Sequence, residues 1–205
     1  MLLTIFSLIV LFFSIVIHEI AHGSVASALG DSTAKDAGRL TLNPLKHIDP
    51  FGTIVLPLLL LLFTLGKGPI FGWAKPVPVN PFNLRDQKWG MLKVSLAGPM
   101  TNFSLAVIFG LLIRFVALPQ SLVLLFSIIA VYNFAWAIFN LIPIPPLDGS
   151  HILFTFLGNR LSGFRILLQK YSFFILLLFI FFGLDIVFKG AGFLYILVTG
   201  VPFGI

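Results

Sequence analysis

The chain has 205 residues, 59% of them hydrophobic and only 10% charged, with a formal net charge of +6 and no cysteine. Soluble domains carry about a quarter charged residues, so a soluble fold is excluded and a membrane-embedded chain is expected, with one domain over residues 1–205. Without cysteine there are no disulfides or thiolate metal sites, and in a membrane protein a surplus of Lys and Arg reports topology rather than nucleic-acid binding.

Residues 2–28 predict one transmembrane helix, long enough at about 1.5 Å per residue to cross about 30 Å of hydrocarbon. The stretch has no basic leader and no small-residue cleavage site before residue 18, so it is expected to be retained rather than removed as a signal peptide. In its second half stands His18-Glu19-Ile20-Ala21-His22. On a helix the two histidines fall one turn apart on one face and can share a metal ion. Glu19, the only glutamate in the chain, lies about 100° further round, where it can reach a metal-bound water without being a ligand. The competing reading is that the three are polar groups satisfied between helices. Ionisable groups at membrane depth cost several kcal/mol unless paired or hydrated, which favours a functional site.

Residues 29–50 read as a polar loop with a short strand around residues 39–42. Residues 51–66 are apolar but short for a span and contain Pro57, so a re-entrant or buried segment is expected. Residues 67–90 form a proline-rich surface loop whose PVPVNP run cannot be helical, since each proline pushes its predecessor toward extended backbone. Residues 91–117 and 121–142 predict two further spans, separated by a break at residues 143–149 from a short apolar stretch. Arg160, Arg165 and Lys170 then precede a span over about 171–188. The last 15 or so residues suit a tilted or half span. The expected fold is an all-α polytopic membrane protein with about four to six transmembrane helices, a re-entrant or short buried segment, and small β elements in the cytoplasmic-side loop.

If residues 51–66 do not cross, every one of the 13 basic residues except Arg114 and Lys189 shares one face. The positive-inside rule makes that face cytoplasmic and puts the N-terminus outside. Lys35, Arg39, Lys46, Lys67, Lys75 and Arg85 all lie on it.

Catalytic zinc usually has three protein ligands and keeps an open position. With no cysteine, and Glu19 needed as base, the third ligand must be Asp or another His. Asp148 is the best candidate, in a proline-broken segment where irregular backbone requires a protein-buried or watered cavity. Its alternative role is to cap a helix starting near Ser150. His47 and His151 are expected to be loop or interface polar groups.

HEIAH at 18–22, GPMTN at 98–102 and NLIPIPPLDG at 140–149 resemble the HExxH, GxxxN and NxxPxxxLDG motifs of the site-2 protease family of intramembrane zinc metalloproteases. With HIDPFG and KPVPVNP the resemblance covers most of the chain. It implies zinc held by His18, His22 and Asp148, Glu19 as general base, and Asn102 and Asn140 flanking the site to hold a substrate strand or a developing oxyanion. It also implies a transmembrane protein substrate in a prokaryotic cell membrane. Each Asn could instead make an interhelical hydrogen bond, the expectation for Asn133. Gly98 is expected to permit close helix approach. No loop is long enough to house the PDZ or CBS domain of larger family members.

Residues 39–42 or the PVPVNP loop could present an edge for strand addition to an unwound substrate. A metal transporter or a non-catalytic metal-dependent sensor is the alternative class. Neither needs a base at position 19, and a transporter predicts paired repeats that the chain lacks. His and carboxylate ligands favour zinc without excluding another divalent ion.

Overall fold

The computed structural model describes residues 2–65 and 72–202. Lys67, counted above on the basic face, lies outside the described residues, as do residues 203–205. The elements are α1 (Leu2–Ala28), α2 (Thr33–Asp36), α3 (Leu56–Phe63), α4 (Gln87–Phe115), α5 (Gln120–Asn140), α6 (Asp148–Leu157), α7 (Ser162–Lys170), α8 (Ser172–Phe182) and α9 (Leu184–Thr199). Helices α1 and α5 and residues Trp89–Phe115 of α4 are each long and apolar enough to cross a membrane. Many of their large apolar side chains face outward, including Leu2, Leu8, Ile108 and Phe115. In water these would be an aggregation surface; they suit a lipid solvent. The chain is a membrane protein.

Helices α1 and α4 run antiparallel, because Ser14 and His18 of α1 meet Asn102 of α4 while His22 meets Val94. The C-terminal end of α1 and the N-terminal end of α4 therefore lie at the same end of the bundle. Helix α5 packs along α4, and α9 folds back onto both, because Val187, Ala191 and Tyr195 recur at helical spacing and are all buried there. Small residues bring these backbones together, with Ala106, Ala130 and Ala191 wholly buried around Phe134, whose ring meets Phe103 edge-on at 5.4 Å. Lipid tails are as apolar as the core, so such packing and interhelical hydrogen bonds supply the association. One such bond joins Ser127 of α5 to Tyr195 of α9 at 2.7 Å.

Two expectations are corrected. The predicted span at 171–188 is not one helix: α7 and α8 meet at a 65° bend, and α8 stops at Phe182 before α9 begins at Leu184. Counting the bent pair as one span gives four candidate spans among the described residues, the lower end of the expected number. The second correction is that no strand occurs among the described residues, and the chain bends at residues 40–41. The neighbour of that bend, the extended segment 72–80, has no N–H at Pro76 or Pro78, so it cannot carry a regular ladder. Its alternate donors instead reach separate acceptors. Trp73 N–H bonds to Gly52 O at 3.1 Å, Lys75 N–H to His47 O at 2.9 Å, and Val77 N–H to the Glu19 carboxylate at 2.7 Å.

Residues 50–63 form a wide π-type turn capped by Asp49, followed by α3, a short apolar unit that does not reach spanning length. Asp31 anchors the far end of the proline loop. This wholly buried carboxylate accepts from Asn80 N at 2.7 Å, from Asn83 Nδ2 at 3.0 Å and from both N–H and hydroxyl of Thr33. Burial opposes its ionisation, but these donors outweigh that and hold its pKa below the usual carboxylate value.

Candidate metal centre

His18 and His22 project from one face of α1, both buried, toward the first residue of α6. Asp148 is not a side-chain cap for α6. The cap position is Leu147, and the Asp148 carboxylate points at the two imidazoles. Helix α6 starts immediately beyond α5 because the backbone turns through Pro143, Pro145 and Pro146, where the Pro145–Pro146 bond is cis. Gly149 permits the tight return: a Cβ there would stand 2.2 Å from the Leu141 carbonyl oxygen.

The protonation of both rings follows from their outer partners. His22 Nδ1 lies 2.7 Å from Val94 O, and a carbonyl can only accept, so Nδ1 carries the proton. His18 Nδ1 lies 2.7 Å from Asn102 Oδ1. The Asn102 amide donates to Ser14 O at 3.1 Å and to Asn133 Oδ1 at 2.8 Å, so its oxygen faces His18 and Nδ1 of His18 is again the donor. Each Nε2 is left with a lone pair. These two nitrogens are 3.0 Å apart, and Asp148 Oδ2 lies 3.1 Å from one and 3.2 Å from the other.

Three lone-pair donors converging this closely repel one another unless a cation or proton stands among them. Asp148 Oδ2 has no hydrogen-bond donor and is buried. Donors bonded at about 2.0–2.2 Å to one tetrahedral zinc stand about 3.3–3.6 Å apart, so the cluster is a few tenths of an ångström tighter than a loaded site. Two imidazoles and a carboxylate, with no thiolate, fit a single zinc or a similar divalent ion. Among the described residues this is the one group of three such side chains.

Glu19 stands beside the histidines on α1. Its Oε2 accepts from Val77 N–H, and among the described residues Oε1 has no hydrogen-bond partner. The proline loop therefore orients the carboxylate and leaves one oxygen free to take a proton. That link has a sequence signal in retrospect: Val77 lies between two prolines, so its N–H is the only donor in the Pro76–Pro78 tripeptide.

Asn102, expected to flank the site and hold a substrate strand or a developing oxyanion, lies against His18. Asn102 is 0% exposed, and its oxygen and both amide protons are committed to His18, Ser14 and Asn133. Asn140 lies on the last turn of α5, its amide donating to Trp136 O at 3.0 Å. Asn133 makes the expected interhelical hydrogen bond, but to Asn102, the residue that holds the His18 ring. His47 is not in the metal cluster; it is wholly buried with Nε2 bonded to Thr41 O at 2.8 Å. His151 is exposed, one turn beyond Asp148 on α6.

Gly98 is the point of closest approach between α4 and the histidines. A Cβ at this position would stand 2.5 Å from His18 Cε1 and 2.6 Å from both Nε2 atoms. Gly98→Ala raises intrinsic helix propensity by about 1 kcal/mol, yet the methyl group occupies the space where the donors meet. We expect bound divalent metal to be lost, read by elemental analysis, while the variant still folds. Unchanged metal content would show that the rings move aside freely.

Residues 116–182 match the sequence model of peptidase family M50. The zinc metalloprotease YwhC of Bacillus subtilis, so named as putative, is 44% identical over 154 residues, covering 71% of this chain and 66% of the relative. The chain belongs to peptidase family M50. Rip2 of Mycolicibacterium smegmatis and of Mycobacterium tuberculosis, described in the same words, are 36% and 32% identical, each over 66% of this chain and 51% of the relative. This M50 chain thus spans just under two thirds of YwhC and about half of the Rip2 proteins. No solved structure matches it. The matched residues 116–182 contain Asn133, Asn140 and Asp148, while His18, Glu19 and His22 lie outside them.

Proposed function

We propose that this chain is a zinc metalloprotease that hydrolyses peptide bonds in transmembrane segments of other membrane proteins. The observation that carries the reading is the meeting of three donor atoms, His18 Nε2, His22 Nε2 and Asp148 Oδ2, beside a glutamate whose second oxygen has no hydrogen-bond partner among the described residues. The printed names of the M50 relatives support zinc and proteolysis. A transporter or sensor has no use for Glu19 in that position.

Zinc bound by the three donors would supply Lewis acidity toward a scissile carbonyl and toward water. Glu19 takes the proton of the attacking water at Oε1 and returns it to the leaving amine nitrogen, while Val77 N–H keeps the carboxylate aimed. Asn102 and Val94 hold the imidazoles so that neither ring turns its N–H inward. Because an intact helix has its backbone hydrogen bonds made, the substrate must unwind locally before attack. The outward edge of segment 72–80, at residues 74, 76 and 78, offers three carbonyls and only the Ala74 N–H, so an unwound substrate strand would dock there chiefly by donating its own N–H groups.

For topology, α1 ends and α4 begins at one end of the bundle, which supports a re-entrant 50–63 that does not cross. The proposed centre then lies toward the cytoplasmic side, with the N-terminus outside. Residues 1–205 act as one transmembrane metalloprotease domain.

Elemental analysis of purified protein should find about one zinc per chain, and a chelator that removes it should stop cleavage of a reconstituted single-span peptide, with activity restored by added zinc. Protein that binds no divalent metal at micromolar zinc would overturn the reading.

A further inference from the structure

Asn133 lies on α5 and touches none of the three metal donors, yet it ends a chain of hydrogen bonds leading to one of them. Its amide nitrogen donates to Ile129 O at 2.9 Å, which turns its oxygen toward α4. That oxygen accepts from Asn102 Nδ2 at 2.8 Å, and Asn102 Oδ1 then faces His18 Nδ1 at 2.7 Å. The chain is anchored at two backbone carbonyls, Ser14 O and Ile129 O, which can only accept, so no amide in it can flip without setting donor against donor or acceptor against acceptor.

We infer that Asn133 is a positioning residue that fixes the tautomer of His18, and through it the metal affinity of the centre. With Asn102 turned the other way, its N–H groups would face His18 Nδ1, the ring would carry its proton on Nε2, and that nitrogen would lose the lone pair it presents to Asp148 and His22. Such a ring cannot be a ligand in its present orientation. Ser14 O opposes the flip at one amide proton and Asn133 Oδ1 at the other, so the two acceptors together hold Asn102, and without Asn133 only Ser14 O remains to do so. Both Asn102 and Asn133 are buried and no water is needed to complete the chain, so the direction set at Ile129 O is transmitted to the metal side of His18. The inference rests on the metal-centre reading proposed above. It adds a determinant on α5, 15 residues before Asp148 on the same stretch of chain.

The test is zinc affinity, measured by competition with a chromogenic chelator at neutral pH, for full-length wild type, Asn133→Leu, Asn133→Asp, Asn102→Asp and the double variant Asn102→Asp/Asn133→Leu. Asn133→Leu should weaken zinc binding by about 10-fold, the low end of the cost of losing a direct partner of a ligand, because Asn133 acts through Asn102. Asn133→Asp should remain within a few-fold of wild type, since a buried, protonated carboxyl can donate to Ile129 O and still accept from Asn102. In the Asn102→Asp background, adding Asn133→Leu should change affinity little, because either oxygen of a carboxyl group can accept from His18. A merely structural role for Asn133 predicts the same loss in both backgrounds. That result, or wild-type affinity in Asn133→Leu, would overturn the inference while leaving the metal centre standing. A wild type that binds no zinc would overturn the metal-centre reading and this inference with it.

Discussion

Glu19→Gln is expected to abolish peptide hydrolysis while leaving zinc in place. The amide keeps the size of the side chain and an oxygen that can accept from Val77 N–H, so the loop contact survives. What it loses is the ability to take a proton at the second oxygen. General acid–base catalysis contributes about 10²- to 10⁴-fold, and here the same group would serve both the attack and the departure of the amine, so a loss in kcat toward the upper end of that range is expected. KM for a transmembrane peptide should change little, because Glu19 is not part of the surface proposed to hold the substrate. Initial rates with zinc-matched wild type and variant check this. A variant that retains a tenth or more of wild-type kcat would remove Glu19 from the chemistry.

Asp148→Ala should cost more metal affinity than any outer-shell change, beyond about 10- to 100-fold. The carboxylate sits 3.1 and 3.2 Å from the two Nε2 atoms, and it is the only anion among the three donors. Its removal leaves two neutral imidazoles, and a dipositive ion in a poorly solvated site with no charge to balance it. The fold should survive, because the carboxylate makes no cap hydrogen bond to α6 and the turn before it is held by backbone bonds such as Leu147 N to Ile144 O at 2.9 Å. Zinc content after dialysis against a weak chelator, together with thermal melting in detergent, separates loss of metal from loss of fold. Full zinc retention in Asp148→Ala would remove the link between α1 and α6 on which the centre depends.

The donors were legible because their signals are local or forced. A helix places residues 18 and 22 on one face whatever surrounds it, and the absence of cysteine left few residues able to complete the set. The role of Asn102 was not legible. A sequence shows that an amide lies near the site but not which of its two faces meets which neighbour, and its partners at Ser14 and Asn133 are 88 and 31 residues away. Glu19 and Val77, 58 residues apart, escaped for the same reason. In the fold, the long uniform spans at α1, α4 and α5 could be read from hydropathy alone. The 171–188 segment could not: Gly183 and Asp185 mark the place where α8 ends and α9 turns back, but one glycine and one charge are also tolerated inside a continuous span. The alternation at residues 39–42 looked like a strand, but a strand needs a partner with free donors, and the neighbouring segment places prolines at 76 and 78.

The most direct test of hydrolysis at a membrane-embedded metal centre is mass spectrometry of a single-span peptide reconstituted in lipid vesicles with zinc-loaded protein, wild type beside Glu19→Gln. Products cut within the apolar span are expected from wild type alone. Equal cleavage by Glu19→Gln, or wild-type products cut only outside the span, would contradict hydrolysis at such a centre.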